Sequence, residues 1–248
     1  MSASNRTAGC IDGLMPIDIG SPHADTMANN EGFVEVGTPE TRAFTSSELA
    51  GLATSLARTA SAICNVNPEV AGFVNTFNRV VILQKDVGAP DLFASGSTAQ
   101  YIGRTFLANP HLQALDDAQL ADALVHEAIH GLLYMEENLE PWVLDPALYS
   151  FEPVLVSPWS GNRLAVRPFL QACFVWFGLA HFFAQATVKG AFPEGRAERR
   201  LRIASSGFLQ QQLEVTLRDY VKRLSPAVVS AINTMQDRIT DALRNASE

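Results

Sequence analysis

The chain has 248 residues, 47% of them hydrophobic, and sets 26 acidic against 18 basic side chains for a formal charge of -8. This apolar content suffices for a sizeable core, while the negative charge argues against a nucleic-acid or anionic-membrane partner. Three cysteines, Cys10, Cys64 and Cys173, fit neither a disulfide framework nor a zinc knuckle, and the polar first thirty residues lack the apolar segment of a secretory signal, so the expectation is a reduced, cytoplasmic protein.

Residues 1–41 have little periodicity and read as a flexible N-terminal arm, leaving 42–248 as a single metalloenzyme domain. Ser46 or Ser47 is placed to cap a helix carrying Leu49, Leu52, Leu56 and Ile63 that ends before Asn67-Pro68. The β-branched and aromatic run over 72–84 predicts a strand or strand pair. Turn formers fill 86–96, and a second extended piece is expected over 98–107. Its segment 99–104, containing Tyr101, is the candidate edge for pairing with an extended peptide.

Asp116 opens the next helix, with Gln119 placed to close a capping box, and the helical pattern runs to about Tyr134. A loop-like, proline-bearing stretch follows over 136–163. An apolar helix is expected over 168–188, then amphipathic helices over 194–224 and 226–246, the last begun by Ser225-Pro226. The fold class is α+β, mostly helical: a zincin-like motif helix packed on a small antiparallel sheet, with a helical C-terminal half.

The chemistry sits in His126-Glu127-Ala128-Ile129-His130, an H-E-x-x-H pattern within that helix. Residues four apart share a helix face at about 5–6 Å, so both imidazoles can reach one divalent cation. Glu127 is placed to take a proton from a metal-bound water or to orient a co-substrate. A metal held by protein needs a further donor. The apolar helix over 168–188 offers a polar stripe, and on it His181 and Gln171 compete as third ligand; Glu152 is a more distant carboxylate candidate.

Two longer segments suggest a family. Ser157-Pro158-Trp159-Ser160-Gly161-Asn162-Arg163-Leu164 and Leu170-Gln171-Ala172-Cys173-Phe174-Val175-Trp176-Phe177-Gly178-Leu179 resemble bacterial H-E-x-x-H proteins of peptide natural-product pathways, some of them α-ketoglutarate-dependent peptide β-hydroxylases. The resemblance runs from about Phe77 to Phe208. It implies Fe(II) and α-ketoglutarate as cofactors, and Arg163 or Arg167 as the partner of the co-substrate's distal carboxylate; the two histidines by themselves suit Zn(II) as well, the alternative metal. It also implies an amino-acid or peptide substrate, free or carrier-bound, in a pocket lined by Tyr101, Tyr134 or Trp159. The family pattern carries histidine where this chain has Gln171. Three readings follow: a non-haem Fe(II) oxygenase that hydroxylates its substrate, a zinc peptidase using Glu127 as general base, and a catalytically silent peptide- or carrier-binding subunit.

Overall fold

The computed structural model describes residues 9–10, 16–19, 43–149 and 152–245. Most of the segment expected to be an arm, residues 1–41, lies outside the described residues; its residues 16–19 form a strand. The protein is α+β and mostly helical. The chain divides into two compact units, Met1–Gly131 and Leu132–Glu248.

In the first unit, α1 (Ser46–Val66) starts at Thr45, one residue before the expected cap. The Thr45 hydroxyl accepts from the Glu48 N–H and the Glu48 carboxylate accepts from the Thr45 N–H, a complete capping box. Glu48 also accepts from Lys85 Nζ at 2.8 Å, which ties the start of α1 to a residue 37 positions further along the chain. Asn67 ends α1 and caps α2 (Pro68–Phe77), whose first position is a proline. The expected strand over 72–84 is therefore corrected. Its first half is helix, where the tilted rings of Phe73 and Phe77 pack four residues apart at 4.9 Å, and only Val80–Gln84 is strand.

The sheet contains β1 (Gly9–Cys10), β2 (Pro16–Ile19), β3 (Val80–Gln84), β4 (Ala94–Ser97) and β5 (Arg104–Ala108) in the order β1-β2-β3-β5-β4. It is mixed rather than antiparallel. β4 runs back along the outside, so β5 enters between β3 and β4, parallel to β3 and antiparallel to β4. β2 is also parallel to β3. The candidate edge 99–104 is likewise corrected: Ala99–Tyr101 is a 3-10 turn, and the strands at the two edges among the described residues are β1 and β4. Strand alternation puts Ile82, Phe106 and Ala108 on one face, with Tyr101 against them, and Val81, Leu83, Thr105 and Leu107 on the other.

The loop between β3 and β4 is gathered by Asn109, the one non-glycine with positive φ among the described residues, at 53°. Its amide nitrogen donates to the carbonyls of Asp86, Ala89 and Leu92, and its Oδ1 accepts from the Asp86 N–H.

α3 (Asp117–Leu139) begins as expected. Asp116 Oδ1 accepts from the Gln119 N–H at 2.8 Å and Gln119 Oε1 accepts from the Asp116 N–H at 3.1 Å. The helix continues five residues past the expected end at Tyr134, and the boundary between the two units falls within it, after Gly131.

The second unit is built on α4 (Val166–Lys189), α5 (Arg196–Gln210), α6 (Leu213–Leu217) and α7 (Pro226–Asn245), with a short hairpin of β6 (Leu155–Val156) and β7 (Arg163–Leu164). α4 packs chiefly against α5. Phe169, Leu170, Phe183 and Phe208 are fully enclosed, each worth about 2–3 kcal/mol of burial. α4 is the one described helix long and apolar enough to cross a membrane, and 56% of its most apolar window is buried within the protein, as in a core helix. The single amphipathic helix expected over 194–224 is interrupted: Gln211 is extended, and Gln236 of α7 donates to the Phe208 and Gln211 carbonyls there and accepts from the Leu213 N–H.

Candidate functional site

Several contacts fasten the part of α3 up to Gly131 to the rest of the first unit, among them the Arg58–Asp117 pair at 3.0 Å. Asn78, fully buried after α2, donates from its amide to the Leu124 carbonyl at 2.7 Å and accepts from the Thr105 hydroxyl at 2.7 Å. Ser95 Oγ donates to Glu127 Oε1 at 2.6 Å, and Ser97 Oγ donates to Oε2 at 2.7 Å. Gly131 passes so close to Phe77 that a Cβ there would meet the Phe77 Cβ at 3.2 Å. At about 100° per residue, Leu124, Glu127 and Gly131 fall within one 60° stripe, and this stripe faces the sheet.

His126 and His130 lie about 40° apart on another stripe, rotated roughly 110° from the first. Both are half-buried. Their ring centroids are 4.9 Å apart with an interplanar angle of 52°. An imidazole bound through nitrogen to a divalent metal has its centroid ~3.2 Å from the ion, so two such rings at angles between 90° and 110° stand roughly 4.5–5.2 Å apart. The pair therefore fits two ligands of one ion. Among the described residues no group of three or more His, Cys, Asp or Glu side chains is arranged to hold a metal.

Glu127 is only 3% exposed, and both of its carboxylate oxygens accept short bonds from β4. It is thus the buried end of a helix-to-strand latch. Tyr101 stands on the sheet face away from Ser95 and Ser97, with the Arg104 guanidinium over its ring at 4.7 Å.

In the second unit, Glu137 of α3 pairs with Arg167 and also accepts from Gln171 Nε2 at 2.9 Å. The Glu137 side chain is 9% exposed against 32% for Arg167, whose guanidinium also lies 5.9 Å from the Tyr134 ring centre. Glu137, in the stretch expected to be loop, instead holds Arg167 and Gln171 from the last turns of α3. Arg163, on β7, is exposed and donates from Nε to the Pro153 carbonyl. Glu152 is exposed.

Trp159 donates from Nε1 to the Ala204 carbonyl at 2.9 Å, stacks on Trp176 at 6.0 Å and meets Phe208 edge-on. His181 presents its ring edge-on to Phe177 at 4.4 Å. Partial desolvation, then the positive charge of Arg238, moves its pKa below the ordinary imidazole value. The Cys173 thiol donates to the Phe169 carbonyl, and complete burial pushes its pKa up, as for an inert core thiol.

No family model matches this chain, and no curated protein is similar to it. The resemblance to the H-E-x-x-H hydroxylases therefore rests on its own two segments.

Ser95, Ser97, Asn78 and Glu137 were not legible as site residues. The Ser-Gly-Ser stretch reads locally as a turn, and only alternation on an unrecognised strand would have aligned its two hydroxyls.

Proposed function

We propose that the protein is a metal-dependent oxygenase, with Fe(II) and α-ketoglutarate as cofactors, that hydroxylates an amino-acid or peptide substrate in the cytoplasm. The observation that carries this reading is the engagement of Glu127. A hydrolytic use of the motif needs that carboxylate beside a water on the metal. Here both oxygens are bonded to Ser95 and Ser97, which disfavours a water-activating role for Glu127 and favours a use of the motif through its histidine pair. His126 and His130 would hold the iron, which would let dioxygen, with the keto acid as two-electron donor, oxidise an unactivated carbon. Of the two arginines that the resemblance implies for the co-substrate, Arg167 already has Glu137 as counter-charge, whereas Arg163 is exposed.

A silent binding subunit is the second reading. It is favoured by the lack of a third grouped His, Cys, Asp or Glu donor among the described residues and by the commitment of the Gln171 amide to Glu137.

Anaerobic addition of Fe(II) and α-ketoglutarate should give a visible charge-transfer band near about 500 nm. His126→Ala should abolish it. A flat spectrum with both in excess refutes the oxygenase and leaves the binding subunit; zinc-dependent peptide hydrolysis lost in Glu127→Gln would instead establish the peptidase.

A further inference from the structure

We propose that Ser95 and Ser97 are positioning residues for the histidine pair, acting through Glu127. The proposal rests on the metal-site reading of His126 and His130.

The latch is built from two residues on one face of β4 and one residue of α3. Ser95 and Ser97 are two apart on a strand, so their hydroxyls leave the sheet on the same side, about 6.8 Å apart at the backbone. Both converge on one carboxylate, at 2.6 and 2.7 Å. A single bond would leave Glu127 free to swing about it; two bonds to different oxygens fix the carboxylate plane, and with it the rotation of α3 about its axis. Asn78 holds the Leu124 carbonyl three residues earlier, and the close passage of Gly131 past Phe77 sets the distance one turn later. His126 lies between the two hydrogen-bonded anchors.

Rotation matters because the imidazole nitrogens stand well off the helix axis. A roll of about 5° at a radius of about 7 Å moves each nitrogen by roughly 0.6 Å, some three times the tolerance of about 0.2 Å for metal–ligand distances. The two histidines move together, so their bite on the ion survives. What changes is their aim at whichever donors complete the coordination. Buried Glu127 is therefore the connecting rod of the motif, and the hydroxyls of an edge strand set its stop.

The latch does not need a negative charge. A serine hydroxyl both donates and accepts, so Glu127→Gln keeps two bonds, one serine donating to the amide oxygen and the other accepting from the amide nitrogen. Loss of the hydroxyls cannot be compensated in this way.

The test is a Co(II) titration of the full chain, followed by visible d–d absorption, with far-UV circular dichroism as the check on folding. Glu127→Gln and the double variant Ser95→Thr/Ser97→Thr should bind Co(II) within about threefold of the parent. Ser95→Ala/Ser97→Ala should bind at least about tenfold more weakly, with a changed spectrum and unchanged helix content. Should the double alanine variant fail to fold, Ser97→Ala alone should show a smaller loss of the same kind. Parent-like affinity and spectrum in the alanine variants overturn the proposal. A parent that binds no Co(II) refutes the metal reading itself. The long-range imidazole 1H–15N spectrum of metal-free protein then decides the positioning role: it stands if the His126 and His130 signals shift in the alanine variant and falls if they do not.

Discussion

Replacing Gly207 by alanine should destabilise the second unit, against the usual direction of a glycine-to-alanine change in a helix. Gly207 lies within α5, where alanine would ordinarily gain about 1 kcal/mol. A Cβ at this position would stand 2.3 Å from Trp159 Cε2, 2.5 Å from Cδ2 and 2.7 Å from Nε1. Carbon atoms pack at about 3.5–4.0 Å, so the indole must retreat by more than about 1 Å. That retreat stretches the 2.9 Å bond to the Ala204 carbonyl beyond hydrogen-bonding range, at about 1 kcal/mol, and disturbs the stack on Trp176. Overpacking of this kind costs about 1–3 kcal/mol. With the helical gain subtracted, the net loss is about 1–3 kcal/mol. The three tryptophans, Trp142, Trp159 and Trp176, all belong to the second unit, so tryptophan emission during urea unfolding reports that unit. At a typical urea slope the midpoint should fall by roughly 1 M. A midpoint equal to or above the parent's would mean that Trp159 yields freely and that the indole–glycine contact specifies nothing.

Gly51→Ala, in α1 where an added Cβ would meet only open space, should show the ordinary sign and raise stability by about 0.5–1 kcal/mol in thermal melts followed by circular dichroism. Asn78→Ala removes the partner of the Leu124 carbonyl and of the Thr105 hydroxyl in a fully buried place; a loss of about 2–3 kcal/mol in chemical denaturation is expected, and a change below about 0.5 would contradict the network. The hydrogen bond from Lys85, then that from the Thr45 N–H, lowers the Glu48 carboxyl pKa from 4.5 to about 2. Its stabilising contribution is thus complete above pH 4.5 and is lost as the pH falls from there through about 2. With the side chain 27% exposed, solvent screening holds that contribution to about 1 kcal/mol, and the parent's stability advantage over Glu48→Gln should vanish across this window.

The motif helix was legible because its signals are local. Asp116 and Gln119 form their capping box within one turn, and His126 and His130 need only helical spacing to meet. α2 differs from the expectation because Val74, Phe73 and Phe77 are residue types favoured in strands; what settles the segment is the Asn67-Pro68 start and the Phe73–Phe77 ring contact four residues apart. The parallel pairing of β3 with β5 depends on β4 taking the outer position, a tertiary choice that no short window of sequence contains. The same distance hid the partners of Glu127, since Ser95 and Ser97 precede it by 32 and 30 residues. In the second unit, Glu137 falls in the stretch expected to be loop, because α3 runs past the end of its apolar pattern.

Asn109, which gathers the carbonyls of Asp86, Ala89 and Leu92, is followed by Pro110. Asparagines age when the next residue's backbone N–H loses its proton and the nitrogen closes a ring on the side-chain amide, and proline has no such N–H. Conversion to aspartate would turn a donor to three carbonyls into a charge repelled by all of them, and would loosen the approach to β4. Pro110 closes that chemical route, so the loop is guarded against slow decay by the one neighbour that cannot start it.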